Sequence, residues 1–170
     1  MKHLKKGAKV ALVGENYFPP MNKSHITMRR GKGLDKIMSA IAHYRPSVMY
    51  VCPTKGVNIN LLPLLILNNI PIRLVLPSRH FCATLTKEER TILDIASEAA
   101  DKIIILSEKT SSPSNFSSDW YKGTRRVIAN SDWVMVAHDT EREDRGFSDL
   151  MLKFDNNPKP VLAVDFGEGE

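Results

Sequence analysis

Six short apolar runs, separated by stretches with helical spacing, constrain this chain more than any other feature. They are Lys9-Val10-Ala11-Leu12-Val13, Val48-Met49-Tyr50-Val51-Cys52, Ile72-Arg73-Leu74-Val75-Leu76, Ile103-Ile104-Ile105-Leu106, Trp133-Val134-Met135-Val136 and Val161-Leu162-Ala163-Val164. Continuous runs rich in β-branched residues suit strands that are covered on both faces. After the first run comes a long polar stretch from Glu15 to Lys32, and then Leu34, Ile37, Met38 and Ile41 recur at helical spacing until Pro46. A helix is expected to start near Asn60, because Pro63 is tolerated only in a first turn, where its missing N–H is not needed. Thr86-x-x-Glu89 has capping-box spacing, with Ile92, Leu93, Ile95 and Ala96 as an apolar face behind it. Ser111 to Ser118 reads as a polar loop, Trp120 to Ala129 as a helix and Ser148 to Phe154 as a short one. Strands alternating with helices predict right-handed βαβ units: an α/β, three-layer domain with a mostly parallel sheet of about six strands.

At 170 residues the chain fits one domain, spanning 1–170 with a frayed tail over 167–170. An apolar fraction of 42% argues against both the disordered and the membrane class. The most apolar stretch, Leu61 to Ile70, is interrupted by Pro63, Asn68 and Asn69 and is far short of the ~18 residues a span needs. The basic start, Met1 to Lys6, lacks an adequate apolar segment before Gly14, and Cys52 and Cys82 have no metal spacing. A cytoplasmic location, no membrane partner and no metal are the expectations. The net charge of +5 gathers at Lys2 to Lys9, Lys23 to Lys36 and Lys122 to Arg126. Such stretches read either as phosphate- or nucleic-acid-attracting patches or as a solvated face.

In open α/β sheets, ligands bind beyond the carboxyl ends of the strands, near the switch point in strand order. That rule nominates the loops at Gly14-Glu15-Asn16, Pro53-Thr54-Lys55-Gly56, Pro77-Ser78-Arg79-His80, Ser107-Glu108-Lys109, and His138-Asp139 with Gly146-Phe147-Ser148-Asp149. In the second loop a glycine lets backbone N–H groups approach a phosphate, while Lys55 and Thr54 supply a charge and a hydroxyl. A plain tight turn reads equally well there. Gly146 to Asp149 is either a ligand-contacting turn or a capped helix start. Asp132 and Asp139 flank the fifth strand and are candidates for a ribose hydroxyl, although Asp132 reads more simply as part of a turn. Trp120, Tyr121 and Trp133 are candidate stacking residues that read better as packing. The serines have no G-x-S-x-G context, and no Walker or G-x-G-x-x-G motif is present.

The order of these loops resembles the YpsA-like branch of the SLOG superfamily, relatives of the DprA and LOG Rossmann-like proteins. The similarity spans Val51 to Asp165. Val51-Cys52-Pro53-Thr54-Lys55-Gly56-Val57 resembles a strand followed by S-G-G-x-x-G-[VI]-[DE], and Ile72 to Pro77 the next strand ending in proline. Ala100-Asp101-Lys102-Ile103 resembles A-D-x-[VI], and Asn130-Ser131-Asp132 resembles [ND]-x-S-D. Gly146-Phe147-Ser148-Asp149 stands where the family has G-G-T or G-T-x-D, and Lys159-Pro160-Val161 resembles k-P-[VI]. The resemblance implies a nucleotide or nucleotide-derived ligand across the strand ends, with no obligatory cofactor, and by analogy a homodimer.

The departures bear on mechanism. Glu15-Asn16-Tyr17 replaces the first-loop arginine, Pro53-Thr54 the doubled glycine, and no glutamate follows Gly146 at the spacing of the N-glycoside-cleaving relatives. They point to a sensor or sequestering protein, with Lys55, the Gly56 backbone and Arg79 on phosphate. Two alternatives stand beside it. One is a nucleoside-monophosphate N-glycosidase using Glu15 or Glu108 as its carboxylate; the other is a DprA-like protein that binds single-stranded DNA.

Overall fold

The computed structural model describes residues 4–15, 24–79, 85–108, 116–139 and 159–166. Strands β1 (Lys9–Gly14), β2 (Val48–Val51), β3 (Ile72–Leu76), β4 (Lys102–Ile105), β5 (Trp133–His138) and β6 (Val161–Asp165) form one sheet in the order β4-β3-β2-β1-β5-β6. Every pairing is parallel. Helices α1 (Ser24–Tyr44), α2 (Val57–Leu67), α3 (Lys87–Ala99) and α4 (Phe116–Ala129) alternate with the strands. The fold is a three-layer α/β, Rossmann-like arrangement, as the strand runs predict.

The strand order explains which helix covers which face. From β1 to β4 each step moves one strand in the same direction, so right-handed crossovers keep α1, α2 and α3 on one side. The step from β4 to β5 reverses direction past three strands, which sends α4 to the other side. Pleat alternation then divides the core in two. Val10, Leu12, Met49, Val51, Leu74 and Met135 pack with Ile37, Ile41, Leu61, Leu65 and Leu93 under the first layer. Ala11, Val13, Tyr50, Cys52, Val75 and Val136 pack with Trp120, Val127 and Ile128 under α4. Burying a Leu- or Ile-sized side chain contributes about 1.5–3 kcal/mol, so the central strand, with Val10 to Val13 at 1% exposure or less, anchors both layers.

Several boundaries differ from the sequence reading. Helix α1 starts at Ser24, inside the stretch read as a polar loop, and α4 starts at Phe116 rather than Trp120. Helix α2 starts at Val57, so Pro63 lies inside it and not in its first turn. Proline there forgoes one i→i−4 bond, but α2 is nearly submerged, with Val57, Ile59, Leu61, Leu62 and Leu65 fully buried, and that packing outweighs local propensity. The helix ends where Asn69 takes a positive φ of 56° and the Ile70 N–H reaches back to the Leu65 carbonyl, a Schellman-type close. In α3 the capping box forms as expected: Thr86 Oγ1 accepts from the Glu89 N–H and Glu89 Oε1 from the Thr86 N–H. Ile95, read as part of the apolar face, is instead 54% exposed. The fourth run lies at the sheet's edge, with Ile103 39% exposed. Lys159 braces the far end of α4 by donating to the carbonyls of Ile128 and Ala129, a cation at the negative helix terminus.

Close approach fixes α4 against the sheet. A methyl group on Gly123 would overlap Cys52 Sγ at the end of β2. Gly123→Ala is expected to lower stability by about 1–3 kcal/mol, the usual range for overpacking. Cys52→Ala in the same chain should recover part of that loss. Urea unfolding of the two single variants and the double variant tests the coupling, and strictly additive effects would remove the contact from the account.

Candidate functional site

The reversal of strand order falls between β1 and β5. Residues that leave the carboxyl ends of β1, β5 and β2 therefore surround the position where ligands bind in sheets of this kind. Polar burial concentrates there. Glu15, Thr54, Asn58, Ser78 and Asp139 are each 3% exposed or less, and each lies at a strand's carboxyl end or on the first turn that follows one. Buried polar groups are costly unless paired, so their gathering at one end of the sheet marks a built feature rather than chance.

Asn58 organises this end. Its Oδ1 accepts the Gly14 N–H at 3.0 Å, while its Nδ2 donates to the Cys52 carbonyl at 2.9 Å and to Thr54 Oγ1 at 3.2 Å. One amide thus ties the last residue of β1 to the turn after β2 and to the start of α2. The Val57 N–H donates to the Glu15 carbonyl, and the Glu15 N–H to the Ala137 carbonyl. Gly14 is required for this approach, because a Cβ there would sit 2.5 Å from Val57 Cβ. Gly56 is required for another reason: its φ of 101° and ψ of −136° are open to glycine almost alone.

The Pro53-Thr54-Lys55-Gly56 turn is therefore more internally bonded than an open phosphate cradle. The Thr54 N–H donates to the Cys52 carbonyl and the Ile59 N–H to the Thr54 carbonyl. Pro53, Thr54 and Gly56 are buried while Lys55 is exposed, which leaves the Lys55 ammonium as the turn's charged offering to a ligand. Across the reversal, the β1–β5 register sets Gly14 beside Ala137, so Glu15 and Asp139 emerge from neighbouring strand ends.

Other candidates lie farther out or elsewhere. Ser78 and Arg79 follow β3, and Ser107 and Glu108 follow β4. At about 4.8 Å per strand, these positions are roughly 10 Å and 14 Å from β1. The Arg79 N–H donates to the Ser107 carbonyl, and the Arg79 guanidinium grips the Glu108 carboxylate through both Nε and Nη2. That pairing raises the already high pKa of Arg79 and occupies the carboxylate considered for catalysis. Asp132 precedes β5 and so stands at the opposite, amino end of the sheet, where its Oδ2 accepts the Lys9 N–H. It is not brought to the site. Trp120 and Trp133 are 4% and 1% exposed and belong to the core, the latter donating to the Lys5 carbonyl. Asn16, His80, Lys109 and the Gly146, Phe147, Ser148 and Asp149 turn, with Cys82 and the tail, lie outside the described residues. Among the described residues no group of three or more His, Cys, Asp or Glu is placed to hold a metal ion, and no helix is long and apolar enough to cross a membrane.

Sequence reasoning missed Asn58. The available signal was a lone amide in an otherwise apolar helical start, Val57-Asn58-Ile59, right after the candidate turn. Compared with known proteins, the chain matches no family model and no curated sequence.

Asn58→Ala would leave the buried Gly14 N–H without its partner, at about 1–3 kcal/mol, while the Cys52 carbonyl loses one donor and keeps the Thr54 N–H. Asn58→Asp keeps the acceptor for the Gly14 N–H but sets a carboxylate oxygen against the Cys52 carbonyl. Burial and that facing carbonyl raise the carboxylate's folded pKa above its unfolded value of about 3.9. Its stability relative to the native chain should therefore be best in acid and fall as pH rises through the folded pKa. Denaturant unfolding at pH 5 and pH 8 checks the sign, and an equal loss at both would refute it.

Proposed function

We propose that this protein binds a nucleotide or nucleotide-derived small molecule at the carboxyl ends of β1, β2 and β5, and acts by holding it rather than transforming it. The observation that carries this reading is the set of buried polar side chains, Glu15, Thr54, Asn58 and Asp139, gathered at the strand-order reversal. In this reading Lys55 meets phosphate, Asp139 orients a ribose hydroxyl, and the fixed backbone of Gly56 shapes the floor beneath them. Arg79 contributes less, because Glu108 already holds its guanidinium. The motif order described above agrees with a nucleotide-like ligand, and so does a position from which the helix dipole of α2 favours an anion.

A second reading is favoured by one placement. Glu15 is buried at the end of the central strand, and Asp139 is buried at the end of the strand next to it, so two carboxyl groups leave neighbouring strand ends. That is the arrangement an N-glycosidase would use to support an oxocarbenium-like transition state. Glu108, 74% exposed and paired with Arg79, is the weaker carboxylate for this chemistry.

Mass spectrometry of small molecules released from the purified, folded protein tests the first reading, followed by calorimetric titration with a panel of mononucleotides. Lys55→Ala should weaken binding about tenfold, roughly 1.4 kcal/mol, and Arg79→Ala by less. Release of free base from any mononucleotide, abolished by Glu15→Gln, would replace binding with hydrolysis. Absence of nucleotide binding by both methods would overturn the proposal.

A further inference from the structure

A second surface, separate from the strand-end site, lies on the α4 side of the sheet at its β4 edge. Lys122, Arg125, Arg126 and Ala129 follow the i, i+3, i+4, i+7 spacing of a single helix face. With Leu106, just past β4, they line a groove of about 320 Å³. The three cations are exposed and Leu106 is half-buried, so the groove has an aliphatic floor and a cationic rim, with no acidic residue among the described residues that line it. Beside it runs β4, the outermost strand. Ile103 is 39% exposed there, and Lys102 is the only charged residue in the strand. Edge strands are commonly blunted by charge or covered, because their backbone is a template for added strands.

We propose that this edge is a docking site for an extended acidic and apolar protein segment, laid alongside β4. An aliphatic side chain of the segment rests on Leu106 and Ala129, and its carboxylates meet Lys122, Arg125 and Arg126. Charge complementarity selects this occupant. A second copy of the chain docked isologously through the same groove would bring two cationic rims together. Single-stranded nucleic acid gains its affinity partly by stacking bases on open aromatic rings. Here the floor is aliphatic, and the neighbouring Tyr121 ring already carries the Arg125 guanidinium at 5.6 Å. Length agrees too. The seven-residue rise from Lys122 to Ala129 covers about 10 Å at 1.5 Å per residue, which matches three extended residues at about 3.3 Å each. Alternate side chains of an extended segment share a face, so an apolar residue with an acid two positions to either side presents all three to the groove, within reach of the long Lys and Arg side chains. Adding a strand at a sheet edge is an established mode of peptide recognition.

The test is fluorescence anisotropy with the full chain and a labelled eight-residue peptide that repeats Glu-Ser-Leu-Ser, at low salt. Saturable binding is expected. It should weaken at least tenfold for octaglutamate, for a lysine–leucine peptide, and for the Arg125→Glu/Arg126→Glu variant. The single Arg126→Glu variant should lie between, and circular dichroism confirms that both variants keep their fold. Equal affinity in wild type and variants overturns the proposal. So does tighter binding of twelve-residue oligothymidylate that the same charge reversals abolish, which assigns the groove to nucleic acid. A concentration-dependent dimer in sedimentation that the same reversals disrupt assigns it to a second copy.

Discussion

A rigid central strand whose two neighbours run onward in opposite topological directions governs this molecule. Because β1 is paired on both sides and covered on both faces, every helix must be placed relative to it. The handedness of crossovers then leaves no choice about sides: α1 to α3 on one, α4 on the other. The same reversal that separates the helices puts the end of β1 at the switch point of the sheet. That end is closed from below by the Asn58 amide and by the close approach of Gly14 to Val57. Fold and candidate site are thus consequences of one constraint.

Chemically, the strand ends combine firmness with sparse charge. The turn after β2 is locked by its own backbone bonds and by a glycine conformation that few residues share. Such a turn cannot reshape itself around a large anion. It presents a fixed contour with one flexible cation, Lys55, above it. Preorganisation of this sort limits the ordering cost of binding.

Much of the fold was legible because buried parallel strands announce themselves as unbroken apolar runs, and all six did. The capping box at Thr86 and Glu89 was legible for the same kind of local reason. What escaped was decided by tertiary contact. The start of α2 was misplaced because the local penalty at Pro63 is overridden by the burial of Val57, Ile59, Leu61, Leu62 and Leu65 around it. Ile95 was assigned inward by periodicity, yet α3 packs through Leu93 and Ala96 and leaves it in solvent. At the site, the rule of strand carboxyl ends nominated Glu15, Thr54 and Asp139, which the structure places, buried, after β1, β2 and β5. It had no means of foreseeing that Arg79 and Glu108 would neutralise one another, since that pairing joins loops 29 residues apart. Asn58 escaped because an isolated amide carries no motif; only its three bonds reveal its part.

The contact between Gly123 and Cys52 gives α4 an optical handle. Cys52 is 1% exposed and sits beneath a helix that makes the long return from the outermost strand to β5. A thiol reagent meets that sulfur only when the helix lifts, so the labelling rate clocks the opening of this layer against global unfolding. The strap that joins the two halves of the sheet thus carries its own stopwatch, read once labelling at Cys52 is told apart from labelling at Cys82.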